Sequence, residues 1–339
     1  MVLLPERVSR PRLPANLQTG DLGLFDHELE RVLPRAELLK MHDVWASSDG
    51  FLFKGGRVLP ESFAFPFLQT DGRARGAIKF LARNYLLRER RKFEPGAAWI
   101  VDNWSHGYFH WLADALTRLY VIKEFARDLV LLLPHRYAAL HFVQPSLKAF
   151  GVREVKFIGR DEVFLCRNLF VPTHTAPPGN HDAGVINGVR DLLLAEYGGD
   201  TGAGGERIYI SRGRARRRKI VNEEEVVAAL REFDFRVIHA EDHSFGEQVR
   251  IASRASYLVS NHGAGLTNML FMPAGASVLE LRHEADRVNN CYFTLASVAR
   301  LNYFYQTCEP ETPGEDAHTA NLRVDVATLK ANVKLVLGM

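Results

Sequence analysis

Apolar and polar positions follow a regular pattern only after about residue 97. Three short apolar runs have the length of buried strands, over residues 97–101, 129–133 and 155–158. Amphipathic segments over residues 107–125 and 136–150 separate these runs, and Pro145 is expected to kink or split the second helix. Strand, helix and strand in this order indicate a βαβ unit with a parallel sheet. Residues 1–95 show only short strand-like pieces, broken by turn dipeptides.

The second half of the chain repeats the alternation more clearly. Strands are predicted over residues 207–211, 236–239, 256–260 and 277–281. Asn222 with Glu225 marks the start of the first intervening helix, and Ser244 with Glu247 forms a capping box that opens the second. A short helix over residues 266–272 is stopped by Pro273. This repeated alternation indicates a second, Rossmann-like parallel sheet.

A composition break over residues 176–205, with a proline–glycine cluster at 177–179 and a glycine-rich stretch at 198–205, predicts a domain boundary. We therefore predict an α/β fold with two Rossmann-like domains that face each other across a cleft. The first covers residues 1–195 on the acceptor side, and the second covers residues 206–310. A terminal helix within residues 320–339 is expected to pack back on the first domain.

Composition excludes several classes of protein. The chain has 339 residues with 47% hydrophobic and 24% charged residues, which excludes a disordered or fibrous protein. The net charge of +3 is too small to indicate a nucleic-acid partner. Its three cysteines, Cys166, Cys291 and Cys308, form no CxxC pair, so we expect inert packing residues in a reducing compartment. We see no signal peptide and no apolar run near the roughly 20 residues of a membrane span, so the expected location is cytoplasmic.

Four titratable residues spaced by four form the first candidate site: His106, His110, Asp114 and Arg118. On a helix they would lie one above another in an otherwise apolar segment that follows a predicted strand. A carboxylate beside histidines can have the pKa of a general base. Two alternatives stay open: an ordinary ladder of surface ion pairs, and a zinc site of His106 and His110, which lacks the glutamate of an HExxH motif.

The second candidate site is the basic run at residues 211–219, directly after a predicted strand. It begins with Ser211 and Arg212 and ends with Arg217, Arg218 and Lys219. Guanidinium groups pair with phosphate in bidentate fashion, so the run could clamp a diphosphate. A solvated loop or a nucleic-acid patch are the alternatives, although no aromatic residue is interleaved with the charges.

The third candidate site follows the strand predicted at residues 256–260. Two glycines permit close approach of a ligand to the backbone where a helix begins, and free N–H groups there attract anions. A plain strand–helix turn is the alternative. The candidate residues are His262, Gly263, Ala264, Gly265, Thr267 and Asn268. Glu280, at the end of the next predicted strand, could accept both hydroxyls of a ribose, or it could be an ordinary strand-end charge.

In combination these blocks resemble glycosyltransferase family 61 over about residues 97–285, whose bacterial members are often described as capsular polysaccharide biosynthesis proteins. The resemblance is carried by residues 107–114 with Arg118, by residues 207–212 with the basic run, and by residues 245–280. Thr117 stands where a proline often precedes the arginine, which should alter helix packing more than chemistry.

The resemblance implies a GT-B fold and transfer of a sugar, with inversion, from a nucleotide sugar to a glycan or lipid-linked acceptor. A UDP-sugar is the default donor, and neither a metal nor a cofactor is implied. Asp114 is assigned as the base, with His110 as the competing base or its orienting partner. Arg118 would position Asp114 or the acceptor. The basic run and the turn at Gly263 would hold the diphosphate, and Glu280 would hold the ribose.

Two other classes of function remain as alternatives. A nucleotide-sugar epimerase or hydrolase on the same fold would act on the donor without an acceptor. A non-catalytic basic protein would bind a polyanion through charge alone. Arg7, Arg10 and Arg12 also suggest peripheral attraction to an anionic inner-membrane surface.

Overall fold

The structure is a computed structural model that describes residues 1–65, 82–198 and 204–339. Residues 199–203 of the predicted glycine-rich boundary lie outside the described residues. The strands in chain order are β1 Val2–Leu4, β2 Arg7–Ser9, β3 Arg31–Leu33, β4 Ala36–Ser47, β5 Leu52–Lys54, β6 Arg57–Val58, β7 Glu89–Ala98, β8 Val130–Pro134, β9 Val155–Ile158, β10 Glu162–Pro172, β11 Glu206–Ile210, β12 Arg236–Ile238, β13 Ala255–Asn261, β14 Ser277–His283, β15 Asn302–Pro310 and β16 Leu322–Arg323.

The helical elements are mostly short. The α-helices are α1 Tyr108–His110, α2 Leu116–Tyr120, α3 Lys123–Ala126, α4 Val143–Lys148, α5 Ala183–Tyr197, α6 Glu223–Arg231, α7 Phe245–Arg254, α8 Cys291–Val298 and α9 Val326–Leu337. Turns of π-helix cover Arg83–Leu87 and Trp111–Ala115. The 3-10 helices are Thr19–Leu24, Asp26–Glu28, Pro60–Ser62, His135–Ala139, Ala240–Asp242 and Ala264–Phe271.

The chain divides into two compact units. Unit 1 comprises Met1–Arg7 and Val32–Leu192, and unit 2 comprises Val8–Arg31 and Leu193–Met339. The sequence contained no signal for the N-terminal segment of unit 2. That segment is held by Phe25, which is fully buried against the rings of Phe293, Tyr303 and Tyr305. Burial of one aromatic ring among others anchors the segment far from its neighbours in sequence.

Unit 1 contains an eight-stranded sheet in the order β6-β5-β4-β10-β7-β8-β9, with β1 paired to β4. Strands β10, β7, β8 and β9 are parallel, which confirms the predicted βαβ unit, and β4 joins them antiparallel to β10. Strand β7 begins at Glu89, earlier than predicted. The prediction relied on an apolar run, and the first half of this strand is charged and contains none. Strand β8, which follows β7 in the chain, lies on one side of β7 in the sheet, and β10 lies on the other side of β7. Ligands in such sheets bind beyond the carboxyl ends where the order reverses.

The helix predicted over residues 107–125 is interrupted. Its helical part begins at Tyr108, passes through the π turn Trp111–Ala115 and reaches Tyr120, and α3 Lys123–Ala126 follows after a break. The Thr117 hydroxyl, which stands where a proline was expected, donates to the carbonyl of Asp114 at 2.7 Å. The second predicted helix is split as expected, but the break lies before Val143, since Pro145 falls in the first turn of α4, where proline is tolerated.

Unit 2 contains a six-stranded sheet in the order β12-β11-β13-β14-β15-β16. The first five strands are parallel, and β16 is antiparallel to β15. This doubly wound order confirms the predicted α/β class, and it reverses between β11 and β13. The predicted capping box is also present, because Ser244 and Glu247 bond reciprocally at the start of α7.

The C-terminal helix α9 belongs to unit 2. Its buried residues Leu329, Val333 and Val336 lie in the same hydrophobic core as Val226 and Leu230 of α6. The sequence had predicted that this helix returns to the first domain, but its apolar face is buried in the core of unit 2. Within the described ranges, the helices are too short or too polar to cross a membrane.

Candidate functional site

An aspartate–histidine pair lies on the helical segment that follows β7 in unit 1. The Nδ1 atom of His110 lies 2.7 Å from Oδ2 of Asp114. The two residues are four positions apart, and their side chains meet although Asp114 lies in the π turn. The Asp114 side chain is 4% exposed and that of His110 is 25% exposed. Burial lowers the pKa of His110, but the hydrogen bond and charge of Asp114 outweigh it and raise that pKa overall. The imidazole therefore faces outward and the carboxylate supports it from behind.

A second aspartate–histidine pair, which the sequence did not reveal, lies at the same sheet edge. Asp102 follows β7 and His174 follows β10, and Nε2 of His174 lies 2.8 Å from Oδ2 of Asp102. The other carboxylate oxygen of Asp102 accepts backbone N–H groups of Trp104 and Ser105. Burial raises the pKa of Asp102, yet these hydrogen bonds and the nearby charges hold it well below its usual range. The only sequence signal was a polar residue directly after each strand.

Arg118 has a different partner from the one predicted. Its side chain is almost completely buried, its Nε donates to the carbonyl of Pro172 at 2.8 Å, and its Nη1 lies 3.9 Å from Oδ2 of Asp102. Its ion-pair partner among the described residues is therefore Asp102, while the charge of Asp114 also acts on it, and its role toward Asp114 or the acceptor stays a prediction. A guanidinium this deep inside a core requires a nearby negative charge.

His106 lies apart from the expected stripe. The helix begins only at Tyr108, so His106 stands before it in an exposed turn. The four-residue spacing therefore brings together His110 and Asp114, while Arg118 turns inward to Asp102.

In unit 2, the carboxyl ends of β11 and β13 lie side by side, with Ile210 opposite Ser260. The loops after these strands contain two of the predicted sites, so the fold brings the basic run and the glycine turn together. The side chain of Asn261 ties them, since its Nδ2 donates to the carbonyl of Arg218 at 2.5 Å. This position is where the strand order reverses, and ligands of doubly wound sheets bind at such places.

Two arginines of the basic run have buried nitrogens without partners. The Nε atoms of Arg212 and Arg218 are buried and donate to no group in the described part of the chain. No carboxylate among the described residues lies within 4.0 Å of either guanidinium. Burial and the charge of Arg218 lower the pKa of Arg212. Two cations close together without a counter-ion form a site that favours an anion.

The other residues of the basic run differ in their exposure. Arg217 is exposed, and Lys219 is half-buried with its backbone N–H bonded to Asn321. Ser211 is buried, and its hydroxyl donates to Glu223 at 2.7 Å and accepts the N–H of Gly213. Ser211 therefore shapes the loop, and the inward-facing cations are Arg212 and Arg218.

Gly263 allows Arg212 to approach the backbone. A Cβ atom at position 263 would lie 2.2 Å from Nη1 of Arg212, so any side chain there would displace the guanidinium. At position 265 a Cβ atom would lie 2.8 Å from the Ile210 side chain. Gly263 and Ala264 begin a 3-10 helix, Ala264–Phe271, where an α-helix had been predicted. Thr267 and Asn268 are buried within it, and Asn268 donates to Gln248 at 3.1 Å, so Asn268 faces inward.

The role predicted for Glu280 is wrong in its geometry. Its carboxylate is 1% exposed, and its two oxygens are held by Nδ1 of His262 and the hydroxyl of Tyr303, each at 2.5 Å. A ribose could not reach these oxygens. Burial raises the pKa of Glu280, but the charge and hydrogen bond of His262 outweigh it and lower that pKa. Glu280 therefore orients His262, whose Nε2 lies 2.8 Å from the side-chain amide of Asn289.

Candidate metal ligands are dispersed in this protein. Over residues 1–65, 82–198 and 204–339, no three side chains of His, Cys, Asp or Glu are grouped so as to hold a metal ion. His106 and His110, which the zinc alternative required, belong to no such group in those ranges, although Asp114 lies beside His110.

Comparison with known proteins finds similarity to glycosyltransferases. The sequence profile described as Glycosyltransferase 61 matches residues 108–279, which span both polar sites. Protein O-linked-mannose beta-1,4-N-acetylglucosaminyltransferase 2 is 45% identical in Homo sapiens over 106 residues, or 30% of this chain and 18% of the relative. The Bos taurus protein of the same name is 35% identical over 146 residues, or 39% of this chain and 25% of the relative.

A differently named relative matches as well. EGF domain-specific O-linked N-acetylglucosamine transferase of Mus musculus is 37% identical over 91 residues, or 25% of this chain and 17% of the relative. The matched part is thus a quarter or less of each of these three relatives, all of which are animal proteins.

Proposed function

We propose that this chain, which belongs to the glycosyltransferase 61 family, is a glycosyltransferase that moves a sugar from a nucleotide sugar to a glycan hydroxyl with inversion. The observation that carries the proposal is the pair of buried arginines, Arg212 and Arg218, at the strand-order reversal of unit 2. Their unpaired Nε–H groups are suited to the diphosphate of such a donor.

The donor would be held by unit 2. Arg212 and Arg218 would bind the diphosphate oxygens, and the backbone at Gly263 would approach them closely because it carries no side chain. His262, fixed by Glu280 and Asn289, would lie beside the leaving group. Negative charge grows on the diphosphate as the glycosidic bond breaks, so prealigned cations stabilise the transition state. A UDP-sugar remains our default donor.

The acceptor would be activated by unit 1. We assign His110 as the general base and Asp114 as its positioning residue, because His110 is the more exposed of the two and Asp114 bonds its Nδ1. Nε2 of His110 would take the hydroxyl proton while the acceptor oxygen forms its bond to the anomeric carbon. The bond from that carbon to the diphosphate breaks in the same step, and its electrons leave with the diphosphate. Attack from the face opposite the leaving group inverts the anomeric centre.

Several finer features stay proposals. We retain the GT-B arrangement, independence from metals and cofactors, and a glycan or lipid-linked acceptor. We also propose a role in cell-surface polysaccharide synthesis, a cytoplasmic location and peripheral attraction to the inner membrane. The named relatives are animal enzymes that transfer N-acetylglucosamine, so this sugar is the first donor residue to test.

A thermal-shift screen tests the donor site directly. Purified protein is heated with UDP, GDP, ADP, CDP and their sugar conjugates, each with and without chelator. We expect saturable stabilisation by one nucleoside diphosphate, weakened about tenfold to a hundredfold by Arg212→Ala or Arg218→Ala, since each removes a charged hydrogen bond. The matched control is Arg216→Ala, an exposed arginine of the same run, which should change affinity little.

The outcomes of the screen separate the alternatives. If no nucleotide stabilises the protein, the donor-site proposal fails. If binding falls equally with every arginine variant and steeply with salt, the protein is a polyanion binder instead. Release of free sugar, or its epimerisation, at the same rate with and without acceptor would identify a hydrolase or an epimerase.

A further inference from the structure

Trp104 is an exposed aromatic residue beside the His110–Asp114 pair. Its exposed fraction is 40%, whereas Trp99 and Trp111, its neighbours in sequence, are fully buried. Residues 97–102 before it form part of the core of unit 1. A ligand that covers the exposed indole would remove apolar surface from water, and its position next to a polar site makes it a candidate contact for a ligand there.

The Trp104 ring is held in place from two sides. Its centroid lies 5.0 Å from that of Phe65 in an edge-on arrangement, and 5.0 Å from that of His110 at a tilt of 56°. Its backbone N–H donates to the buried carboxylate of Asp102 at 2.8 Å. The same Asp102 bonds His174, so one carboxylate holds both the backbone of Trp104 and an imidazole. A side chain braced in this way loses little entropy when it binds a ligand.

We propose that Trp104 is the platform on which the acceptor sugar lies, which places its hydroxyl next to His110. The axial C–H bonds of a pyranose form an apolar face of partial positive charge, which fits the electron-rich face of an indole. The hydroxyls around the sugar rim would then reach His110 and His174, the imidazoles aligned by Asp114 and Asp102. This inference rests on the proposed function, since it assigns the acceptor subsite of the same reaction.

The chemistry of the surroundings favours a neutral sugar face over a nucleotide base. The diphosphate-binding candidates Arg212 and Arg218 belong to unit 2, whereas Trp104 belongs to unit 1 with two carboxylates nearby. Both carboxylates are buried and paired with imidazoles, which leaves His110 and His174 as the polar groups that can form hydrogen bonds with the hydroxyls of a sugar. We therefore commit to a pyranose acceptor, and nucleoside binding becomes an outcome of the test.

Fluorine NMR can observe the Trp104 ring itself. The chain has four tryptophans, so protein labelled with 5-fluorotryptophan should give four resonances, and Trp104→Phe identifies the one from position 104. Methyl glycosides of glucose, galactose, mannose and N-acetylglucosamine, each as both anomers, are titrated to millimolar concentrations. We expect at least one glycoside to shift the Trp104 resonance saturably and to leave the buried Trp99 and Trp111 resonances unchanged.

Binding to the variants is followed on the sugar signals by saturation-transfer NMR. Trp104→Ala should weaken the glycoside at least about tenfold, the loss expected for a single well-formed aromatic contact, and Trp104→Phe should retain part of the affinity. The matched control is Phe125→Ala, an aromatic residue of unit 1 that is 43% exposed, which should bind as native protein does.

Two results would overturn the inference. The first is that native protein binds no glycoside and only nucleosides shift the Trp104 resonance; the second is that Trp104→Ala binds the glycoside with native affinity. UDP binding is measured on the same samples by thermal shift. Unchanged UDP binding in Trp104→Ala with loss of the glycoside supports the acceptor subsite. Failure of every nucleotide to bind native protein would remove the proposed donor site while leaving the glycoside result to be judged separately.

Discussion

The Nε2 atom of His174 lies 2.8 Å from Oδ2 of Asp102, although 72 positions separate them in the chain. The pair forms because β7 and β10 are adjacent and parallel, with Ala98 opposite Phe170, so the residues that follow these strands emerge at one edge. Arg118 reaches the same carboxylate from the helical segment after β7, with Nη1 at 3.9 Å. One buried carboxylate thereby joins three segments of unit 1.

Replacing that carboxylate should destabilise unit 1. Asp102→Asn leaves Arg118 buried without its counter-charge, and we expect a loss of about 3–5 kcal/mol in the free energy of unfolding, measured by urea denaturation. The control is Asp43→Asn, whose partner Arg167 is on the surface and should contribute no resolvable stability. An equal, small loss in both variants would show that Asp102 does not support Arg118.

The loss at Asp102 should also depend on pH. The pKa of Asp102 is held below its usual range, so its stabilising contribution is present above that range and is lost as the pH falls through the lowered pKa. The native protein should therefore exceed Asp102→Asn in stability by a constant amount near neutrality, and the difference should shrink in strongly acidic solution. A difference that grows on acidification would contradict this assignment.

The pH dependence of transfer should report on His110. A general base works when unprotonated, so kcat/KM should rise with pH, with a midpoint above 6.5 because the pKa of His110 is raised. Asp114→Asn removes the charge that raises it and leaves the burial that lowers it, so the midpoint should move down while the rate falls. The exposed His42 provides the control, since His42→Asn should keep the native profile. A native midpoint near pH 4 would instead assign the base to a carboxylate.

A single methyl group at position 263 should disrupt the donor site. Gly263→Ala places Cβ 2.2 Å from the present position of Nη1 of Arg212, so we expect nucleotide affinity to fall about tenfold or more while the protein remains folded. Gly20→Ala is the matched control, because a Cβ there meets nothing within 4 Å in the same unit. Calorimetric titration and circular dichroism of both variants measure the two effects. Native affinity in Gly263→Ala would show that Arg212 does not bind the nucleotide.

Tyr303 should act through His262 without touching the donor. Tyr303→Phe removes the hydroxyl that donates to Oε2 of Glu280, and we expect a loss of about 1.5–3 kcal/mol in unfolding free energy, as for a hydrogen bond to a charged group. Since Glu280 would then hold His262 less firmly, kcat should fall more than KM rises. Tyr257→Phe, on β13 of the same sheet, should change neither quantity. Parallel changes in kcat and KM by both variants would argue against a positioning role.

Local patterns in the sequence predicted most of unit 2. The capping box at Ser244 and the strands over residues 207–211 and 277–281 were readable because their signals depend on residues three or four apart, or on one short apolar run. The basic run and the glycine turn were also identified correctly as neighbours of strand ends. The strand order, which brings them together, depends on pairings between distant segments.

The sequence by itself determined the α/β alternation, the His110–Asp114 contact and the position of the arginines beyond a strand. Only the tertiary structure decided that Asp102 bonds His174 and that the side chain of Arg118 is buried. It also decided that the carboxylate of Glu280 bonds His262 and is not open to a ribose. The physical reason is that helical neighbours are set by a fixed local geometry, whereas burial and the partner of a charged side chain depend on which strands become adjacent. Those pairings are properties of the whole packed chain.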